Sequence, residues 1–166
     1  GNDAPHRKAF LRFPLDSIAP GGIAAARLEL RFTPTGWGLA SHLGDSEFTV
    51  YGLIDETLDE WDPASLTWSN APGNEPAGGN AVRKDQVREL GRFTVPRGIQ
   101  TGSFGIDGEA LQAFLNADGN RRATLLVIRE TPETRGGGLV HAFASSRHPN
   151  LAPPTLELKL SEGSAK

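Results

Sequence analysis

Five carboxylates fall within eight residues at Asp55, Glu56, Asp59, Glu60 and Asp62. Oxygen ligands that dense suit a hard cation such as calcium, with Asp55, Glu56 and Asp59 as the candidate ligands. A glycosidase would need two such acids facing each other across a cleft, which one surface loop seldom provides. A solvated acidic turn needs no ligand at all. Trp61 and Trp68 stand in the same segment, seven positions apart. An indole can stack on the C–H face of a sugar ring, or it can plug a loop onto a core. A long aperiodic stretch needs anchoring, so both are read as plugs. Trp37, in the glycine-rich Thr-Gly-Trp-Gly loop, is then the better stacking candidate.

The second chemical resource is arginine, which supplies thirteen of the seventeen basic residues. Its planar fork grips carboxylate or sulfate bidentately. Arg12, Arg27 and Arg31 lie on two early strands, and they form one basic stripe if those strands are neighbours. Arg129 and Arg147, with His141, extend the late strands and could lengthen it. Cross-strand pairing with Glu29, Glu130 or Glu157 is the structural alternative. A high-GC codon bias also accounts for abundant Arg, Gly, Ala and Pro together.

Several chemistries find no support. Cysteine is absent, which removes disulfides, thiolate zinc sites and thiol nucleophiles. The four histidines, His6, His42, His141 and His148, fall in three distant regions. There is no Gly-x-Ser-x-Gly elbow, zinc-protease helix or phosphate-cradling glycine loop. A polysaccharide lyase would need a base such as Tyr51 or His141 beside an arginine, and no motif assembles one. His141 reads more simply as a sheet residue. A formal net charge of −3 argues against a general nucleic-acid binder. No apolar run approaches the roughly 18 residues that cross a membrane.

The elements that must position these residues are short strands. Gly 20 and Pro 12 punctuate the whole chain, which favours all-β over helical architecture. Residues 8–15 form a strand that is apolar on both faces. Residues 26–33 alternate cleanly, with Leu28, Leu30 and Phe32 on one face and Arg27, Glu29 and Arg31 on the other. Further strands are expected at 47–54, 87–95, 103–106, 123–129, 139–144 and 155–160. One helix is expected over 108–117, capped by Asp107. Residues 1–160 read as a single two-sheet, jelly-roll-like β-sandwich with one short helix, and 161–166 as a tail.

The order of these segments is similar to one family. KAFLRFPL at 8–15 resembles the "aylRFdLs" opening strand of DNRLRE-type modules, also classed as carbohydrate-binding module family 96. ARLELRF at 26–32 resembles the following strand of that family. FTVYGLIDETLDEWDPASLTWSNAP at 48–72 resembles its tryptophan signature. FASSRHPNLAPPTLELKL at 143–160 is similar to its closing motif. The Trp-x6-Trp-x-Asn-x-Pro portion is the most specific part. Two departures stand out: the chain begins after the strand that usually opens such modules, and His148 replaces the glutamate of the closing motif.

The resemblance implies a β-sandwich module of secreted, cell-surface or periplasmic bacterial proteins. It implies binding to an acidic polysaccharide such as alginate, a structural calcium ion, and a covalently linked catalytic domain. The expected molecule is a monomer that does no catalysis and holds its enzyme near a polymer. A lyase or hydrolase domain is one alternative. An adhesion module without glycan affinity is the other.

Overall fold

The computed structural model describes residues 6–34, 44–131 and 141–162. Its strands are β1 (Lys8–Pro14), β2 (Ile23–Pro34), β3 (Ser46–Leu53), β4 (Val87–Val95), β5 (Gly102–Asp107), β6 (Arg122–Arg129), β7 (His141–Phe143) and β8 (Thr155–Leu160). Alternation decides which face of each strand is buried. In β2, Leu28, Leu30 and Phe32 are at most 2% exposed, while Arg27 and Arg31 face water. An apolar side chain at every second residue can hide on one side only, so such strands stack face to face.

The result is a two-sheet antiparallel β-sandwich with one short helix. The first sheet has the order β1-β6-β3-β4. In the second, β2 is central: β5 pairs with one edge, and β8 and β7 share the other. Leu28, Leu30, Val50, Leu125 and Val127 meet between the sheets. Five phenylalanines fill one end of this core, with Phe48 stacked on Phe93 at 5.0 Å and Phe32 edge-on to Phe104 and Phe143. Strand β6 is buried on both faces from Ala123 to Ile128, as its unbroken apolar run requires.

The helix α1 (Glu109–Ala117) buries Leu111, Phe114 and Leu115 against this core. Its N-cap is Gly108 rather than the expected Asp107. Asp107 is still a strand residue there, paired with Arg27. The chain turns at the next position, where φ is +104°, a conformation open to glycine. Gln112 and Asn116 then donate to the Ile23 carbonyl at 2.9 and 2.8 Å, tying the helix to the start of β2.

Residues 55–86 cover the outer face of the first sheet. That explains why β1 is apolar on both sides. Leu11 and Phe13 enter the main core, while Phe10 joins a second cluster with Leu53, Val87 and Leu126 under the long loop. Among the described residues no loop lies over the second sheet, and the outward positions of β2 carry Arg27, Glu29 and Arg31.

Candidate functional site

The open face of the second sheet is built by alternation alone. Arg27, Glu29 and Arg31 project outward from β2, flanked by Ser103, Gly105 and Asp107 of β5 and by Thr155 and Glu157 of β8. Glu29 lies between the two arginines, 2.8 Å from Arg31 and 3.7 Å from Arg27. Arg31 also donates to the Ser103 hydroxyl. The two arginine side chains nevertheless stay 46% and 55% exposed. Glu29 therefore holds them in place without burying them, and each retains donors for a ligand. The pairing with Glu29 runs along β2 itself, between residues two apart, rather than across strands.

At the seam where β5 meets the edge of β4, a cleft of about 210 Å³ opens. Arg27, Arg92, Gly91, Gly105, Ile106 and Asp107 line it. Both bordering strands are sheet edges, so part of their backbone hydrogen-bonding capacity points into the seam. Arg92 forms a two-bond fork with Glu89 at 2.8 and 3.1 Å and remains exposed. The cleft is polar, with two cations and one carboxylate around a floor that carries no side chains at the two glycines.

The single basic stripe does not form. Its condition was that β1 and β2 be neighbours, and they belong to different sheets. Arg12 lies under the long loop, where its guanidinium donates to the Asp59 and Trp61 carbonyls at 2.9 and 2.6 Å. It also covers the Trp61 ring at 4.8 Å. Arg129 pairs with Phe48, an inward-facing residue, and its Nε and Nη1 are buried. Arg147 is exposed in the turn after β7, away from any strand. The backbone of His141 pairs with Pro34 in β7. Trp37 lies outside the described residues.

The acidic segment is committed to structure. Asp55 accepts from the Thr57 amide and hydroxyl at 3.2 and 2.6 Å and caps a short 3-10 turn. Both oxygens of Glu56 are bonded to backbone amides beyond the helix, Gly119 at 2.7 Å and Asn120 at 2.9 Å. Asp59 is 1% exposed and accepts from Asn120 at 3.0 Å. Glu60 pairs with Arg122, and Asp62 accepts from the Ala64 amide. Among the described residues no group of three acids or histidines is arranged to hold a metal ion. The calcium expectation at Asp55, Glu56 and Asp59 thus meets carboxylates that accept from different partners: Thr57, the Gly119 and Asn120 amides, and the Asn120 side chain.

Burial raises the pKa of Asp59, with hydrogen bonds from Thr124 and Asn120 opposing it and the charge of Glu56 adding to it. The folded state therefore holds this proton more tightly than the unfolded chain. That contribution to stability is complete below the ordinary value of 3.8 and is lost as pH rises through the folded pKa. Asp59→Asn is thus expected to melt higher than the parent at pH 7, and the gap should close toward pH 3.8. Thermal melts of both proteins across that range check it.

The two loop tryptophans differ. Trp61 is half-buried, donates to Thr124 at 3.0 Å and meets Phe10 edge-on at 6.1 Å. It is the expected plug. Trp68 is 39% exposed, against expectation, because the turn carrying it folds back on the loop rather than on the sheet. Its Nε1 donates to the Pro76 carbonyl at 2.9 Å. Asn74 is the buried hub of this turn: it donates to the Trp68 carbonyl and accepts from Lys8 at 2.6 Å and, through its carbonyl, from Arg83 at 3.2 Å. Neither Asn74 nor Asn120 carried a sequence signal beyond being a polar residue in a loop.

Tyr51, the candidate lyase base, is half-buried on the outer face of β3. Burial raises its phenol pKa, and Glu130 and Glu89 raise it further. A general base needs the opposite shift. No protein-family model matches the chain, and comparison with curated proteins returns no match.

Proposed function

We propose that this chain is a non-catalytic module that binds an acidic polysaccharide through the open face of its second sheet. The observation that carries the reading is the Arg27–Glu29–Arg31 row. It is a solvent-facing set of donors on a sheet that no loop among the described residues covers, and it continues into the cleft beside Arg92. A solvent-facing polar strip along a strand suits an extended polymer better than a small substrate, which favours an enclosed pocket. The alternating charges favour a ligand that both accepts from arginine and offers hydroxyls to Glu29, Asp107 and Glu157. A glycan bearing uronate or sulfate groups does both.

The resemblance to DNRLRE-type modules points the same way. With it come the proposals of an exported bacterial parent protein and a linked polysaccharide-degrading domain. The raised phenol of Tyr51 speaks against the lyase alternative.

Affinity electrophoresis through gels containing alginate, polygalacturonate or a sulfated fucan tests the proposal. Retardation by at least one acidic polymer is expected, and it should weaken in about 0.5 M salt, where exposed charge pairs are screened. Replacing Arg27 and Arg31 together by Ala should weaken binding at least about tenfold, since losing charged hydrogen bonds at a ligand costs roughly 1.5–3 kcal/mol. Migration unaffected by every acidic polymer would leave the adhesion alternative standing.

A further inference from the structure

Trp68 is the one exposed residue among the described phenylalanines, tyrosine and tryptophans. Leaving an indole 39% exposed forfeits burial that Trp61, seven residues earlier, obtains in part against Phe10 and β6. The exposure does not come from a loose turn. The Thr67 amide donates to Asn70 at 2.6 Å, Asn70 donates to the Ser65 carbonyl at 3.0 Å, and the Ala71 amide closes onto Thr67 at 3.1 Å. The ring is fixed at its nitrogen by Pro76 and on one side by the Lys8 ammonium, 4.9 Å from the centroid. A ligand that stacks here meets a platform already in its bound position, so little ordering entropy opposes binding.

The surroundings select the class of ligand. Thr67, Ser69 and Asn70, which flank Trp68 in the same turn, are exposed and polar. A protein or membrane partner would need a continuous apolar patch, whereas one indole bordered by hydroxyls and an amide matches one sugar ring. The cations of the site are Lys8 and Arg83, both bonded to Asn74. The acids near Lys8 are Glu130 and Glu75. Burial lowers the Lys8 pKa to about 8, against the pull of both acids, so at neutral pH the amine still carries its charge for an anionic partner.

We propose that Trp68, with Lys8 and Arg83 gathered around Asn74, is a second sugar subsite that stacks one uronate ring of an acidic polysaccharide. It rests on the reading of the module as a glycan binder, but it uses none of that face's residues. Loop 55–86 lies over the first sheet, and Arg27 and Arg31 lie on the second. The two subsites occupy opposite sides of the sandwich, so one module engages two stretches of polymer.

The test uses the whole chain with polygalacturonate, its methyl-esterified form and anionic phospholipid vesicles as probes. Polygalacturonate should shield tryptophan emission from acrylamide quenching, and Trp68→Phe should abolish that protection. Trp68→Ala should bind the polymer about tenfold more weakly, the loss expected when a central aromatic contact is truncated, with a far smaller effect on the esterified form. The Arg27→Ala/Arg31→Ala protein should keep the shielding. Thermal melts confirm that each variant is folded. Parental affinity in Trp68→Ala, or polymer binding without shielding, overturns this subsite and leaves the open-face reading intact. Absence of polymer binding by the parent removes both. Trp68-dependent binding confined to vesicles also overturns it.

Discussion

Replacing Gly105 by Ala should disrupt the domain. A β-carbon there would lie 1.9 Å from the Leu28 carbonyl oxygen and 2.8 Å from its carbon. Both are backbone atoms, so no side chain can rotate away. Relief requires β5 to separate from β2 at the centre of the second sheet, where Leu28–Ile106 and Glu29–Gly105 are paired. Ile106 would then leave the core, and the cleft that Gly105 lines would lose one wall. Overpacking that only backbone movement can relieve costs about 3 kcal/mol or more, a fall in melting temperature of roughly 6–12 °C for a domain of this size. Gly44→Ala is the control, because nothing lies within 4 Å of its new methyl. Circular dichroism melts of the two variants decide the matter. Equal melting temperatures would contradict the close approach of β5 to β2.

Trp61→Ala should release the long loop while sparing the sandwich beneath it. The indole packs on Phe10, carries the Arg12 guanidinium at 4.8 Å and spends its N–H on Thr124 at 3.0 Å. Its removal leaves Thr124 without its indole donor and Arg12 without the ring beneath it. Tryptophan truncation in packed sites costs about 3–5 kcal/mol, and half burial places this one near the lower figure. The accompanying change is local. Limited proteolysis should cut within residues 55–86 faster than in the parent, as expected of a segment with a lowered opening free energy. Because Trp68 depends on the same loop, its shielding by polygalacturonate should be lost as well. Binding through Arg27 and Arg31 on the opposite sheet should persist, which separates the two subsites in one variant. Unchanged proteolysis would show that the other ties of the loop, such as Lys8 to Asn74 and Asn80 to the Arg129 carbonyl, suffice alone.

These two positions also show how far the chain could be understood from its letters. Trp61 was legible as an anchor, because a large aromatic in a long aperiodic loop has few other uses. Gly105 was not, because its role depends on a carbonyl contributed by another strand. A period-two pattern defined β2 and a continuous apolar run defined β6, since side-chain direction along a strand is a local property. Helix α1 was legible for the same reason, yet its cap moved from Asp107 to Gly108 because pairing with Arg27 extends β5 by one residue. The acids at 55–62 were legible as a cluster. Their use was not, since the amides of Gly119 and Asn120 that occupy Glu56 lie 63 and 64 residues away in sequence.

What the sequence by itself determined is therefore the class of molecule: an all-β sandwich with one short helix, a pinned loop, and an outward row of Arg27, Glu29 and Arg31. Each follows from residue spacing and size, which act within a few positions. Only the tertiary structure decided which arginines share a surface. Strand order placed β1 and β2 in different sheets, sending Arg12 beneath the loop and leaving Arg27 and Arg31 on the open face. It also decided that Trp61 is half-buried against Phe10 while Trp68 faces water. Both outcomes turn on contacts between segments distant in sequence, which local patterning does not encode.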